Sequence, residues 1–311
     1  MNATEGGTGR KGSVKGKLLI VLGVYIAGVV ALVAAYGWHS ERNKSFEPQN
    51  EFKLDDWVKI KLGSVDLSLN KAVLYLFIAA TLTSVTMIWI ARRMKARPNK
   101  VQAAVEVLYN LMHDNITGSA MDAKMAARWF PFIGTLFLFI LFSNLIGYIP
   151  LPTNTEHEIS LFGWHIPSFS LYAATANLSI PLALALVVFV SYTFEGIRAK
   201  GVVGYLKSLV PGGVTGGMAV AIFFLEVLSN LMRILSLTIR LFANILAGHL
   251  IILFMAGALA VILGIAALGW LTIPFGIVLF AFEVGLVAAL QAFIFATLTA
   301  IYLGGAVAAE H

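Results

Sequence analysis

Six stretches of this chain are apolar over about 18 residues or more: 18–37, 72–91, 130–149, 173–192, 219–263 and 270–303. Uninterrupted runs of that length read as helices that cross a bilayer, because a helix satisfies its own backbone polar groups in hydrocarbon. The strands of a membrane barrel would instead alternate apolar with polar residues. The expected fold is therefore an all-α polytopic membrane protein with about six membrane segments. Only 12% of the residues are charged and 59% are hydrophobic, where a soluble domain carries about 25% charge.

Basic clusters orient the spans. Arg92, Arg93, Lys95, Arg97 and Lys100 follow the second run at once, and such a cluster marks the cytoplasmic side. Residues 1–17 form a basic, Gly-rich tail, so the first run (18–38 with its flank) passes outward and 39–71 is an exported loop. A basic flank before an apolar run also describes a signal peptide. The run lacks a clear small-residue cleavage site, which favours an uncleaved span. With six spans both termini are cytoplasmic. The net charge of +6 matches basic cytoplasmic loops and calls for no nucleic acid.

Pro98 and Asn99 open a further helix over about 99–117, with Val101, Val105, Leu108, Leu111 and Met112 on one side. That is the pattern of an interfacial amphipathic helix or of an ordinary packing helix. Residues 150–170 read as an outside loop with His157 and Glu158, 194–210 as a short basic inside loop, and 211–217 as a Gly-rich hinge. Glu195, Arg198 and Lys200 read as a membrane-border cluster. The fifth run is about twice the length a vertical span requires. The last two segments are therefore expected to form a long, strongly tilted helix hairpin, with 268–274 as the return.

Chemistry concentrates on the fifth run. At 100° per residue Glu226, Asn230, Arg233, Arg240 and Asn244 fall within about 40° of one line. An arginine at mid-membrane costs roughly 2.5–3.5 kcal/mol on insertion scales, and it cannot escape by losing its proton. Two readings of Arg240 stand: an ion pair with Glu226 or Glu283, or a fixed cation in an ion path. His249 lies nine residues on, about 180° round the helix from Arg240. Asn144, Asn177 and Gln291 add amides within apolar runs. Singly such amides are helix–helix glue; together with Glu226, His249 and Glu283 they suggest a hydrated path. Glu and His are the side chains tuned to pass protons near neutral pH. There is no cysteine, and the six histidines show no H-x-x-x-H or H-E-x-x-H spacing. Thiol catalysis is excluded, and no metal or other cofactor is expected.

The stretches S-L-T-I-R-L-F-A-N-I-L-A-G-H (236–249) and L-Q-A-F-I-F-A-T-L-T-A-I-Y-L (290–303) closely resemble subunit a of F-type ATP synthases, and F-S-N-L-I-G-Y-I-P (142–150) and T-A-N-L-S (175–179) extend the match. The resemblance covers roughly residues 70–311. It implies a proton-translocating subunit with no active site of its own, in a bacterial inner membrane. Its partners would be a ring of c subunits, the b-subunit peripheral stalk, the remaining ATP synthase subunits and membrane lipid. Arg240 would be the stator arginine facing the ring carboxylate, with two offset half-channels leading to it. Asn244 and Gln291 match the family's facing amides. Glu226, His249, Asn144 and Asn177 match its other polar positions. Gly147 stands where some members carry an acid. Glu283 matches the partner of the His249 position, but lies eight residues before Gln291 where seven is expected, a rotation of about 100°. Residues 1–70 lie outside the shared core. A stand-alone secondary transporter and a sodium-coupled form of the same subunit are the alternatives. The transporter would carry inverted repeats or paired broken helices, and neither is evident.

Overall fold

The computed structural model describes residues 11–36, 54, 57–62, 65–66, 68–93, 99–161, 164–170, 172–255 and 266–308. Along them run α1 (Lys11–Tyr36), the short antiparallel pair β1 (Lys61–Leu62) and β2 (Val65–Asp66), α2 (Lys71–Arg93), α3 (Lys100–Asn110) and α4 (Ala123–Gly147). The hairpin β3 (Leu151–Leu161) and β4 (Trp164–Ser170) follows, then α5 (Ser179–Lys207), α6 (Gly217–Leu253), α7 (Ala266–Phe282) and α8 (Ala288–Val307). A π-helical turn, Leu111–Thr117, extends α3, and another, Glu283–Val287, joins α7 to α8. Among the described residues five segments are long and apolar enough to cross a membrane: Lys71–Arg92, Ala123–Gly147, Ser179–Lys207, Gly217–Leu253 and Thr272–Val307. In α1 the apolar stretch is Leu22–Ala31. The all-α membrane architecture expected from the sequence is the one found.

The chain divides into two compact units, Met1–Asn50 with Leu250–Ala281, and Glu51–His249 with Phe282–His311. In the first, Ile273, Gly276, Ile277 and Phe280 line a shallow apolar hollow with Ile252 and Met255.

The second unit carries the polar residues. On α8, Ala288, Ala292, Ala296 and Ala300 recur every fourth residue and are all fully buried. Side chains that small let α4 and α5 pack closely against α8. In hydrocarbon this matters more than apolarity, because lipid is as greasy as leucine and association rests on van der Waals fit. Ile133, Leu136, Phe137 and Ile140 of α4 complete the core with Ala185 and Val188 of α5. Helix α6 presents Ile234, Leu237, Leu241 and Ile245 to the same core, a stripe at helical spacing. A second cluster joins Tyr75 and Ala79 of α2 to Ile146 and Tyr172. Burial pushes the Tyr172 hydroxyl up to about 12, with a hydrogen bond to Asn177 acting the other way.

Several boundaries differ from the sequence expectation. The fourth span begins at Ser179 rather than at 173, after a short 3-10 turn Ala174–Ala176. The Asn177 side-chain oxygen accepts the Ser179 N–H at 3.0 Å, and such local bonding competes with helix. The same helix then runs on through Glu195 to Gly201, whose φ of 74° breaks it, and a second helical stretch continues through the expected basic loop to Lys207. Before the break, buried Glu195 is tied to Arg128 of α4 at 3.0 Å. The expected return at 268–274 is helical, lying within α7 with Pro274 inside it. Residues 11–17 belong to α1 rather than to a loose tail, and the expected outside loop at 150–170 forms the β3–β4 hairpin. Lys95, Arg97 and Pro98 lie outside the described residues. The amphipathic segment uses Met112 and Ile116 as core residues, so the packing reading describes it.

Candidate functional site

The polar line of α6 lies about a quarter turn round the helix from its core stripe. Its two arginines differ in their surroundings. Arg233 reaches Glu226 Oε1 from Nη2 at 3.4 Å and donates from Nη1 to Asn230 Oδ1 at 3.3 Å. Its guanidinium lies over the Tyr302 ring, 5.4 Å from the centroid. Asn230 also accepts from the Tyr192 hydroxyl at 3.0 Å and donates to the Glu226 carbonyl at 3.0 Å. These residues line a cavity of about 280 Å³ together with Lys200, Tyr205 and Ser208. Its lining carries both charge signs and several hydroxyls, which suits water.

Arg240 forms no ion pair among the described residues. Its guanidinium donates from Nη2 to Ser236 Oγ at 3.3 Å, and Asn244, one turn on, is exposed. The ion pair weighed for Arg240 with Glu226 belongs to Arg233 instead. Glu283 lies elsewhere, with Tyr148.

A second cluster gathers around His249, which is 3% exposed. Its Nδ1 lies 2.9 Å from the Ile245 carbonyl and its Nε2 lies 3.1 Å from the Gly147 carbonyl. A carbonyl only accepts, so both contacts are hydrogen bonds when the ring is doubly protonated, and one survives when it is neutral. The Tyr148 ring stacks on the imidazole at 4.7 Å, and its hydroxyl donates to Glu283 Oε2 at 3.1 Å. Burial, with the Glu283 charge and hydrogen bond adding to it, raises the Tyr148 phenol above its ordinary value. The hydroxyl is therefore held as a donor. The Glu283 carboxyl occupies the space that a Cβ on Gly248 would need.

The π turn resolves the spacing of Glu283. An extra residue between it and Gln291 would rotate it by about 100° on a regular helix. A π turn holds one residue more than an α turn, and Glu283–Val287 is such a turn. Glu283 thus meets Tyr148 and Gly248. Gln291, at 5% exposure, is buried on α8. Asn144, fully buried, donates to the Ala288 carbonyl at 3.3 Å and accepts from Thr175 Oγ1 at 2.8 Å. Asn177 stands apart from these, in the turn before α5. Gly147 has no room for an acid, since a Cβ there would run into Ala173.

The family model described as "ATP synthase A chain" matches residues 73–304. The chain belongs to this family. ATP synthase subunit a of Rubrobacter xylanophilus is 35% identical over 258 residues, covering 82% of this chain and 91% of the relative. That of Myxococcus xanthus is 36% identical over 252 residues, covering 80% and 76%, and that of Pelagibacter ubique 33% over 265 residues, covering 85% and 98%. As a member of the ATP synthase A chain family, the protein is a multi-pass, proton-translocating membrane subunit of the bacterial ATP synthase complex without an active site of its own. Residues 1–72, with α1, precede the part that the family model matches.

Sequence reasoning missed Tyr148, Tyr192, Tyr302 and Thr175. Tyrosines near span ends read as interfacial anchors, and nothing in their spacing distinguishes an anchor from a bridge between two polar groups.

Proposed function

We propose that Arg240 is the fixed cation of the stator, facing an essential carboxylate on a ring of c subunits, and that two hydrated half-channels bring protons to and from that carboxylate. One half-channel runs through the Glu226–Asn230–Arg233 cavity. The other passes the His249–Tyr148–Glu283 cluster with Asn144 and Gln291. The observation that carries the reading is the contrast between the arginines. Arg233 is ion-paired, whereas Arg240 has no carboxylate partner among the described residues and lies beside exposed Asn244. A guanidinium left without an anion in apolar surroundings implies one supplied from outside this chain.

The mechanism follows from the chemistry of arginine. A permanent cation stabilises a deprotonated ring carboxylate as it passes and repels a proton leaking straight between the half-channels. With so high a pKa it cannot act as a relay itself. A proton falling through about 150 mV releases roughly 3.5 kcal/mol, so barriers along the path must stay small. Glu226 and Glu283 supply carboxylates that bind and release protons, and His249 keeps one carbonyl bond in either protonation state.

Helix α6 has 37 residues, or about 55 Å of helix against about 30 Å of hydrocarbon. It therefore lies strongly tilted, along the ring, with its exposed face turned to the c subunits. The b-subunit stalk contacts this subunit elsewhere, and both termini are cytoplasmic. The reading is tested by cross-linking. Cysteines placed at Asn244 and Ala247, both exposed on the Arg240 side of α6, should form disulfides with cysteines beside the c-subunit carboxylate in the assembled complex. A cysteine at buried Leu241 should not. Equal cross-linking at all three positions would contradict the assigned face.

A further inference from the structure

Tyr148 touches two of the ion-pathway residues at once. It follows α4 directly as its C-cap and is 4% exposed. Its ring stacks on His249 of α6 at 4.7 Å and an interplanar angle of 27°, and its hydroxyl donates to Glu283 Oε2 of the π turn at 3.1 Å. Three separate elements therefore meet at one phenol. On the other side of the Glu283 carboxyl stands Gly248, whose missing Cβ leaves the space that the carboxyl fills. The His249 ring is fixed too, with its nitrogens directed at Ile245 and Gly147 carbonyls. A carboxylate held between a donor and a bare backbone is confined to one rotamer, and a donor to its charged form favours that form.

We propose that Tyr148 is a positioning residue of the proton path, which locks the Glu283 carboxylate and the His249 imidazole into a single unit with fixed geometry. The phenol passes no proton onward. It sets the distance and orientation across which Glu283 and His249 exchange protons with water. This inference rests on the reading that these two residues line a half-channel.

The test is ATP-driven acidification of vesicles carrying the whole complex, measured against pH for wild type, Tyr148→Phe, Tyr148→Leu and Glu283→Gln, with subunit content confirmed for each. Among the described residues the titratable group that bonds Glu283 is Tyr148 at the end of α4, and His249 of α6 stacks on the other side of that phenol. The Phe variant keeps the stack and loses the donor. Its pumping should fall about three- to tenfold, and its pH profile should differ from that of wild type, because the Glu283 carboxyl loses the donor that fixes it. The Leu variant, losing the stack as well, should fall further. If Glu283→Gln stops pumping while Tyr148→Phe keeps the wild-type rate and pH profile, Tyr148 is packing alone and the proposal fails. If Glu283→Gln pumps like wild type, the half-channel reading fails at this site and takes the proposal with it.

Discussion

Arg233 and Glu226 pair along one face of α6, Nη2 to Oε1 at 3.4 Å, while Arg240 holds Ser236 Oγ at 3.3 Å. Two arginines on one apolar helix thus have different surroundings. One is neutralised within the chain. The other has no carboxylate partner among the described residues.

The Arg233–Glu226 pair is more than a third exposed on both sides, so water screens it and it contributes only about 0.3–1 kcal/mol. A double-mutant cycle with Glu226→Gln and Arg233→Gln, read by thermal dissociation of the solubilised complex, should give a coupling in that range. Pumping in Arg233→Gln should stay within roughly threefold of wild type, a change of under 1 kcal/mol. A loss as deep as that of an Arg240 variant would place the stator charge at Arg233 instead.

Gly248→Ala puts a methyl group where the Glu283 carboxyl lies. Overpacking of that kind costs about 1–3 kcal/mol. The carboxyl must move, so pumping should drop about tenfold or more with normal assembly. Gly285→Ala, in the same π turn but with nothing within 4 Å of the added Cβ, should pump nearly as wild type. Equal effects of the two changes would show that helix propensity, and not the contact with Glu283, is responsible.

Asn144→Leu strands the buried Thr175 hydroxyl, whose acceptor is the Asn144 side-chain oxygen, and removes a second bond from the Ala288 carbonyl. An orphaned buried polar group costs about 1–3 kcal/mol, whereas removing both partners is nearly neutral. The thermal dissociation midpoint should therefore fall in Asn144→Leu and recover in part in the double variant with Thr175→Val. No recovery would mean that the Ala288 contact or the shape of the amide dominates.

Arg128→Ala leaves the buried Glu195 carboxylate with, among the described residues, only the more distant Arg198, at 3.9 Å. Arg128 is itself 45% exposed, so the loss is expected to be about 1–2 kcal/mol rather than that of a fully buried pair. Adding Glu195→Gln should restore part of it in the same thermal assay. An unchanged midpoint in Arg128→Ala would show that the pair holds nothing together.

The membrane helices were legible because apolar runs of that length leave few other structures open. Their ends were not. Pro274 looks like a breaker but lies inside a helix, whereas Gly201, at φ 74°, breaks one in the middle of what reads as a single basic loop. Residues 150–170 read as loop because β3 and β4 carry little regular alternation around their bulges. On α6 the polar line was legible from spacing alone, but which arginine takes Glu226 was not. Both lie within about 40° of the carboxylate in projection, and the choice depends on Asn230, Tyr192 and Tyr302 gathering around Arg233. Glu283 was misaligned on paper because helical projection assumes α geometry throughout, and a single π turn shifts the register by one residue. Asn177 was set within a span because its neighbours are apolar, although its side chain bonds the backbone that starts the helix.

The most direct measurement compares ATP-driven acidification of vesicles carrying the whole complex in wild type and Arg240→Ala. If Arg240 is the unpaired stator charge, pumping vanishes while assembly and ring content stay normal. Pumping at near the wild-type rate would contradict this and make Arg240 a structural residue.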